Sequence, residues 1–171
     1  DDWVTVMLTL ELVEAGGCPG LDRGECERFL EVENPHVRFV AREITALRRR
    51  GVEIATFSVR TPLPEEVLSA HDRAEQERTC YILPPCWWRY LQAHIVGMVT
   101  RPARYLGTLW FALSTRPAGM RAALWHLFYF VESVFLWHEL RRREIGHLHV
   151  HFGMACATVA MIASRLGDLT Y

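Results

Sequence analysis

The chain has 171 residues, half of them hydrophobic and 23% charged, which suits one globular domain with a sizeable core and excludes disorder over most of its length. A formal net charge of −1 excludes a global basic field of the kind that binds nucleic acid, and no nucleic-acid partner is expected. All 19 basic residues are arginines, whose planar fork suits phosphate wherever a cluster lines a site.

Asp1 to Glu27 form a segment of their own. An apolar stretch from Trp3 to Val13, readable as strand or helix, runs into the glycine-rich GGCPGLDRGE, and this part is expected to be poorly ordered. The short run RFLEVE follows. Next, FVAREITALRRRG sets Phe39, Ile44 and Leu47 at helical spacing, with Gly51 at the C-cap. VEIATFSVR then alternates with a β-branched and aromatic bias, which predicts a strand stopped by Thr61, Pro62 and Pro64.

Acidic residues between Pro64 and Glu77 predict the start of a short helix, and Tyr81 to Leu83 a short strand closed by Pro84 and Pro85. Two helices are expected at Trp87–Val99 and Ala103–Leu113, split by Pro102, and a third from Met120 to about Arg142 after a turn at Arg116–Gly119. The third helix is apolar on most of its circumference. Its uncharged run is shorter than the roughly 20 residues that cross a bilayer and contains Glu132, so a buried core helix is expected. The arginine and aromatic mixture of residues 87–113 has two readings. One is ordinary packing against a sheet; the other is a membrane interface contacted through Trp87, Trp88, Arg101, Arg104 and Trp110.

In the last segment HLHVHF alternates strictly, with Leu148, Val150 and Phe152 on one face and His147, His149 and His151 on the other. Gly153 turns the strand into a small-residue helix, ATVAMIASRLG, capped by Gly167. Strand, glycine turn and helix make half of a βαβ unit, whose ligands gather at the carboxyl end of the strand. Histidines at i and i+2 could share a zinc ion, but no acidic or cysteine ligand lies close in sequence, so no metal is expected. Hydrogen-bonded buried histidines, or contact of His151 with a polar substrate, remain as alternatives. Cys18, Cys26, Cys80, Cys86 and Cys156 include no CxxC pair, and no signal-peptide pattern is present, which points to reduced thiols in a cytoplasmic protein. The spacing of Cys80 and Cys86 does not fit a zinc knuckle.

PHVRFVAREITALRRRGVEIATFSVR resembles the opening of family 4 glycosyltransferases of the GT-B fold, and HLHVHFG with its alanine-rich helix resembles the same family's His-x-His-Phe strand. The two motifs occur in the family's order and span about Glu31 to Tyr171. The resemblance implies an α/β fold with a Rossmann-like parallel sheet flanked by helices, the N-terminal half of a GT-B fold, here from residue 28 to 171 with a long, mostly helical insertion. RFLEVE would be an altered first strand. The implied activity is retaining transfer of a sugar from a nucleotide-sugar donor to a lipid-linked or polysaccharide acceptor in bacterial envelope or exopolysaccharide synthesis. No metal or other cofactor is implied, and the protein would work in the cytoplasm, at the inner face of the membrane.

On this resemblance Pro35, His36 and Arg38 belong to a loop after the first strand, Glu43 to the first helix, and His149, His151, Phe152 and Gly153 to the rim of an acceptor cleft. The donor-binding C-terminal domain and its catalytic residues have no counterpart here, so the chain is expected to be inactive alone, because transfer needs the leaving diphosphate stabilised and both substrates held together.

Overall fold

The computed structural model describes residues 5–9, 35–59, 61, 70–151 and 155–171. In chain order the elements are β1 (Thr5–Thr9), α1 (Pro35–Arg49), β2 (Ile54–Ser58), α2 (Ala70–Arg78), β3 (Cys80–Tyr81), α3 (Trp87–Thr100), α4 (Pro102–Ser114), α5 (Met120–Arg142), β4 (His147–Val150) and α6 (Ala155–Gly167). The four strands form one sheet of order β3-β2-β1-β4, parallel throughout. The chain is therefore α/β, with helices on both faces of a parallel sheet.

Side-chain alternation assigns the two faces. On one, Ile54 of β2 packs with Val40, Ile44 and Leu47 of α1 in a small separate cluster. On the other, Phe57 of β2 and Leu148 of β4 are fully buried in the main core with α5 and α6. The period-2 pattern of β4 thus sends Leu148 and Val150 into the core and leaves His149 and His151 toward α1. Close contact between α5 and α6 rests on the small residues of α6, including Ala160 and Ala163, and Ser133 of α5 donates to the Val159 carbonyl at 2.9 Å. Beyond α6, Thr170 bridges in parallel to His147, so the chain there starts to pair along the free edge of β4.

Gly51 ends α1 as its position predicts. Its φ is +83°, the Gly51 amide donates to the Arg48 carbonyl and the Val52 amide to the Leu47 carbonyl, which together make a Schellman cap. The short strand before Pro84 is paired from Cys80, and its ladder hydrogen bonds continue through Ile82 and Leu83 to the carbonyls of Ser58 and Val59. The helix expected within Pro64–Glu77 is described from Ala70 to Arg78.

Four expectations are corrected. The central strand comes from Thr5–Thr9, inside the segment expected to be poorly ordered; RFLEVE lies outside the described residues. A central strand of a parallel sheet is covered on both faces and reads as a continuous apolar run, which is why its period was ambiguous. Pro35, His36 and Arg38 are not in a loop but in the first turn of α1, where a proline at the first position suits the fixed φ of that residue. The third long helix is buried only from Phe130 onward, while Met120, Leu124, Trp125, Leu127 and Phe128 are exposed.

Gly167 is the last residue of α6 rather than its left-handed cap. Asp168 takes that conformation, with φ +58°, and the Leu169 amide closes on the Ser164 carbonyl. What requires glycine at 167 is space, since a Cβ there would lie 2.7 Å from Cδ1 of Trp137.

Candidate functional site

In the order β3-β2-β1-β4 the chain moves outward from β1 through β2 to β3, then returns to the other side of β1 as β4. The strand order reverses between β1 and β4, and in open parallel sheets the crevice outside the carboxyl ends of such a pair is where ligands bind. His149 lies in β4 and His151 immediately follows it, at this end. The α1 helix, which connects β1 to β2, brings Glu43 over the same strand.

Glu43 meets both histidines. Its Oε1 is 3.8 Å from Nε2 of His149 and its Oε2 is 3.5 Å from Nε2 of His151. The two imidazoles stand edge to face, with centroids 4.7 Å apart and planes at 73°. Burial falls across the group: the side chain of His151 is 10% exposed, that of Glu43 29% and that of His149 43%, so the cluster is closed toward the sheet and open on one side. Burial above all, and then the neighbouring His149, push the His151 imidazole below its ordinary pKa, while Glu43 pulls it upward. A His151 ring that is mostly neutral at pH 7 is thereby favoured.

Three of the candidate site residues, Glu43, His149 and His151, therefore converge. Pro35, His36 and Arg38 have their backbone in the first turn of the helix that carries Glu43, and Phe152 and Gly153 lie outside the described residues. The argument against a metal, that no acidic ligand lies near the histidines in sequence, does not survive folding: Glu43 is distant in the chain and adjacent in space. Nothing in local sequence could show this. Its only trace was the position of Glu43 in an amphipathic helix preceding a strand of the same sheet.

The membrane-contact candidates divide into two groups. Trp87, Trp88 and Trp110 are each at least 74% exposed, and the same side of α3 carries exposed Leu91, Ile95, Met98 and Val99. The helices α3 and α4 pack on α5 and each other by their opposite sides, through Tyr90, Ala93 and Gly97 on α3 and Tyr105, Thr108 and Ala112 on α4. Ordinary packing of this whole segment against the sheet, one of the two readings of residues 87–113, is thus corrected. Arg101 and Arg104 behave differently. Both pair with Asp168, and Arg101 also donates to the Leu166 carbonyl at 3.2 Å, where cations complement the C-terminus of α6.

One buried charged group escaped sequence reasoning. Glu139 is 3% exposed and accepts from Arg89 of α3 at 2.8 Å, with Arg142 at 3.4 Å and Arg143 at 4.0 Å. This cluster is compensated from two helices and the turn after α5, so it accounts for itself as structure. A shallow depression lined by Arg48, Gly51, Val52, Glu53, Ile54, Ala55, Arg143 and Ile145 lies at the amino ends of β2 and β4, opposite the crevice, and its Arg48 is already paired with Glu75. Among the described residues Cys80, Cys86 and Cys156 form no disulfide.

The fold and site define an α/β chain with a His, His, Glu cluster at the strand-order reversal of a parallel sheet. Comparison with known protein families, with curated proteins and with solved structures finds no match to it.

Proposed function

We propose that this chain is the acceptor-side half of a retaining family 4 glycosyltransferase, with a Rossmann-like sheet of the GT-B type. The observation that supports this reading is the meeting of Glu43 with His149 and His151. The two stretches that resemble the family are far apart in sequence, and their polar residues come together at the carboxyl end of β4. A carboxylate and two imidazoles offer acceptors and a donor suited to sugar hydroxyls, on rigid elements and with one side open.

In this reading Glu43 and His149 orient hydroxyls of the acceptor, and His151, less exposed, fixes the sugar nearest the strand end. In such an enzyme the donor half supplies the stabilisation of the leaving diphosphate, and these three residues supply acceptor contacts. The test follows the ring signals of His149 and His151 by NMR while a lipid-diphosphate-linked saccharide in micelles, or a nucleotide sugar, is added. Saccharide is expected to move both signals, and His151→Ala to weaken binding about tenfold, as for one lost hydrogen bond to a polar substrate. Signals that respond to the nucleotide sugar at lower concentration than to the saccharide would overturn the assignment.

A second reading, peripheral attachment to a membrane, is favoured by one specific observation: the exposed indoles of Trp87, Trp88 and Trp110, with the aliphatic side of α3 beside them. No helix among the described residues is long and apolar enough to cross a membrane. Indole rings at headgroup depth, rather than the arginines already held by Asp168, would carry the contact. Co-sedimentation with vesicles is expected to be lost when the three tryptophans are changed to serine and kept in Arg101→Gln. A chain that stays in the supernatant with both neutral and anionic vesicles refutes this reading.

A further inference from the structure

The contacts of Glu43 contain more than a histidine–carboxylate pair. Its two oxygens address two different imidazoles, both through Nε2, and the three ligand atoms all lie within 4.8 Å of one another. The geometry points to a binding site for one divalent transition-metal ion, formed by Glu43 of α1 with His149 of β4 and His151 immediately after it. This inference does not depend on the sugar-transfer reading, whose family resemblance implies no metal.

Distances decide how far the side chains must move. Four-coordinate zinc with bonds of about 2.0–2.1 Å places its ligand atoms roughly 3.3 Å apart. The oxygen-to-nitrogen separations here are 3.5 and 3.8 Å, one to each oxygen of Glu43, and the three ligand atoms lie within 4.8 Å of one another, so closing on an ion asks for side-chain shifts of at most about 1.5 Å. Both imidazoles project to one side of the chain at i and i+2, which fixes their mutual position, with centroids 4.7 Å apart and planes at 73°. The remaining ligand comes from a helix packed on that face. These are rigid elements, the placement that holds a coordination sphere best.

Charge supports the same conclusion. One carboxylate can neutralise one protonated imidazole, whereas a single divalent cation uses both rings and the carboxylate together. Two nitrogens and one oxygen form a borderline donor set. It selects zinc, cobalt, nickel or ferrous ions over magnesium and calcium, which require oxygen ligands. Three protein ligands also leave coordination positions vacant, and the exposed side of His149 provides both an entry path and room for water or an oxygen of a bound molecule.

The experiment is calorimetric titration of the whole chain with zinc ion alone, repeated with cobalt ion while its visible absorption is recorded, with no sugar present. One ion per chain is expected, with cobalt bands of a nitrogen and oxygen sphere lacking thiolate charge transfer. Glu43→Gln and the half-exposed His149→Ala should each weaken binding at least tenfold, whereas Cys86→Ser and His126→Ala, both outside the cluster, should leave it unchanged. Saturable binding that is indifferent to Glu43→Gln and His149→Ala, magnesium binding as tight as zinc, or no saturable binding at all would overturn the site. Folding of each variant is checked by its far-ultraviolet circular dichroism, and His149, being on the open side, is the substitution least able to disturb the core. Loss of metal binding together with an unchanged saccharide response in Glu43→Gln and His149→Ala would uphold the metal site and refute the acceptor contact proposed for the same residues.

Discussion

Trp137 provides a graded test of packing in this fold. Its side chain is 2% exposed and lies between two glycines, Gly97 of α3 and Gly167 of α6. An added Cβ at Gly167 would stand 2.7 Å from Trp137 Cδ1 and 3.0 Å from Leu169 Cγ; at Gly97 it would stand 3.2 Å from Tyr105 Cδ2 and 3.3 Å from Trp137 Cζ3. At Gly107, on the exposed side of α4, it would meet nothing within 4 Å. Alanine in place of a helical glycine gains about 0.5–1 kcal/mol from lost freedom of the unfolded chain and better helix propensity. Forcing a methyl group into a packed core costs about 1–3 kcal/mol.

Gly107→Ala should therefore stabilise by about 0.5–1 kcal/mol, Gly97→Ala should come out near neutral, and Gly167→Ala should destabilise by about 1–2 kcal/mol. For a domain of this size the last corresponds to a melting temperature lower by roughly 2–8 °C. Because the indole has a glycine on each side, it cannot retreat from one methyl without approaching the other, and the Gly97→Ala/Gly167→Ala double variant should lose more than the two single changes together. Urea unfolding of the four proteins, comparing midpoints at a common slope, is the assay. A Gly167→Ala protein as stable as Gly107→Ala would refute the packing argument.

Stability should also depend on pH through buried histidines. Burial, as the first cause in each case, lowers the pKa of His94, His138 and His151 from 6.5, so the unfolded chain binds more protons than the folded one and stability falls as pH drops below about 6.5 toward the folded values. For His138 the charged groups nearby are Glu139, Arg141 and Arg142 on its own helix and Arg89 on α3, of which only Glu139 favours the proton. Both ring nitrogens of His138 are buried without a hydrogen-bond partner, so His138→Leu should raise stability by about 1 kcal/mol near neutral pH and flatten the acid limb. Urea midpoints between about pH 7.5 and pH 5 measure this, and an unchanged slope in His138→Leu would remove His138 from the account.

Local chemistry is what a sequence carries openly, and its imprint here is accurate wherever a residue answers to its immediate neighbours. Gly51 announced the end of α1 because only a left-handed residue closes that cap, and the alternation of HLHVHF announced a strand with two unlike faces because the side-chain period of a strand is two. Pro102 separated α3 from α4 for the same local reason. Decisions that need a partner were out of reach. Whether Gly167 serves as a cap or as a space for Trp137 depends on a helix that precedes it by a strand, and the exposure of Trp87 and Trp88 depends on which side of α3 meets α5. Above all, the pairing of Glu43 with His149 and His151 arises only when β4 returns to the free side of β1 and α1 covers it, because a parallel sheet joins segments in space that the chain keeps far apart.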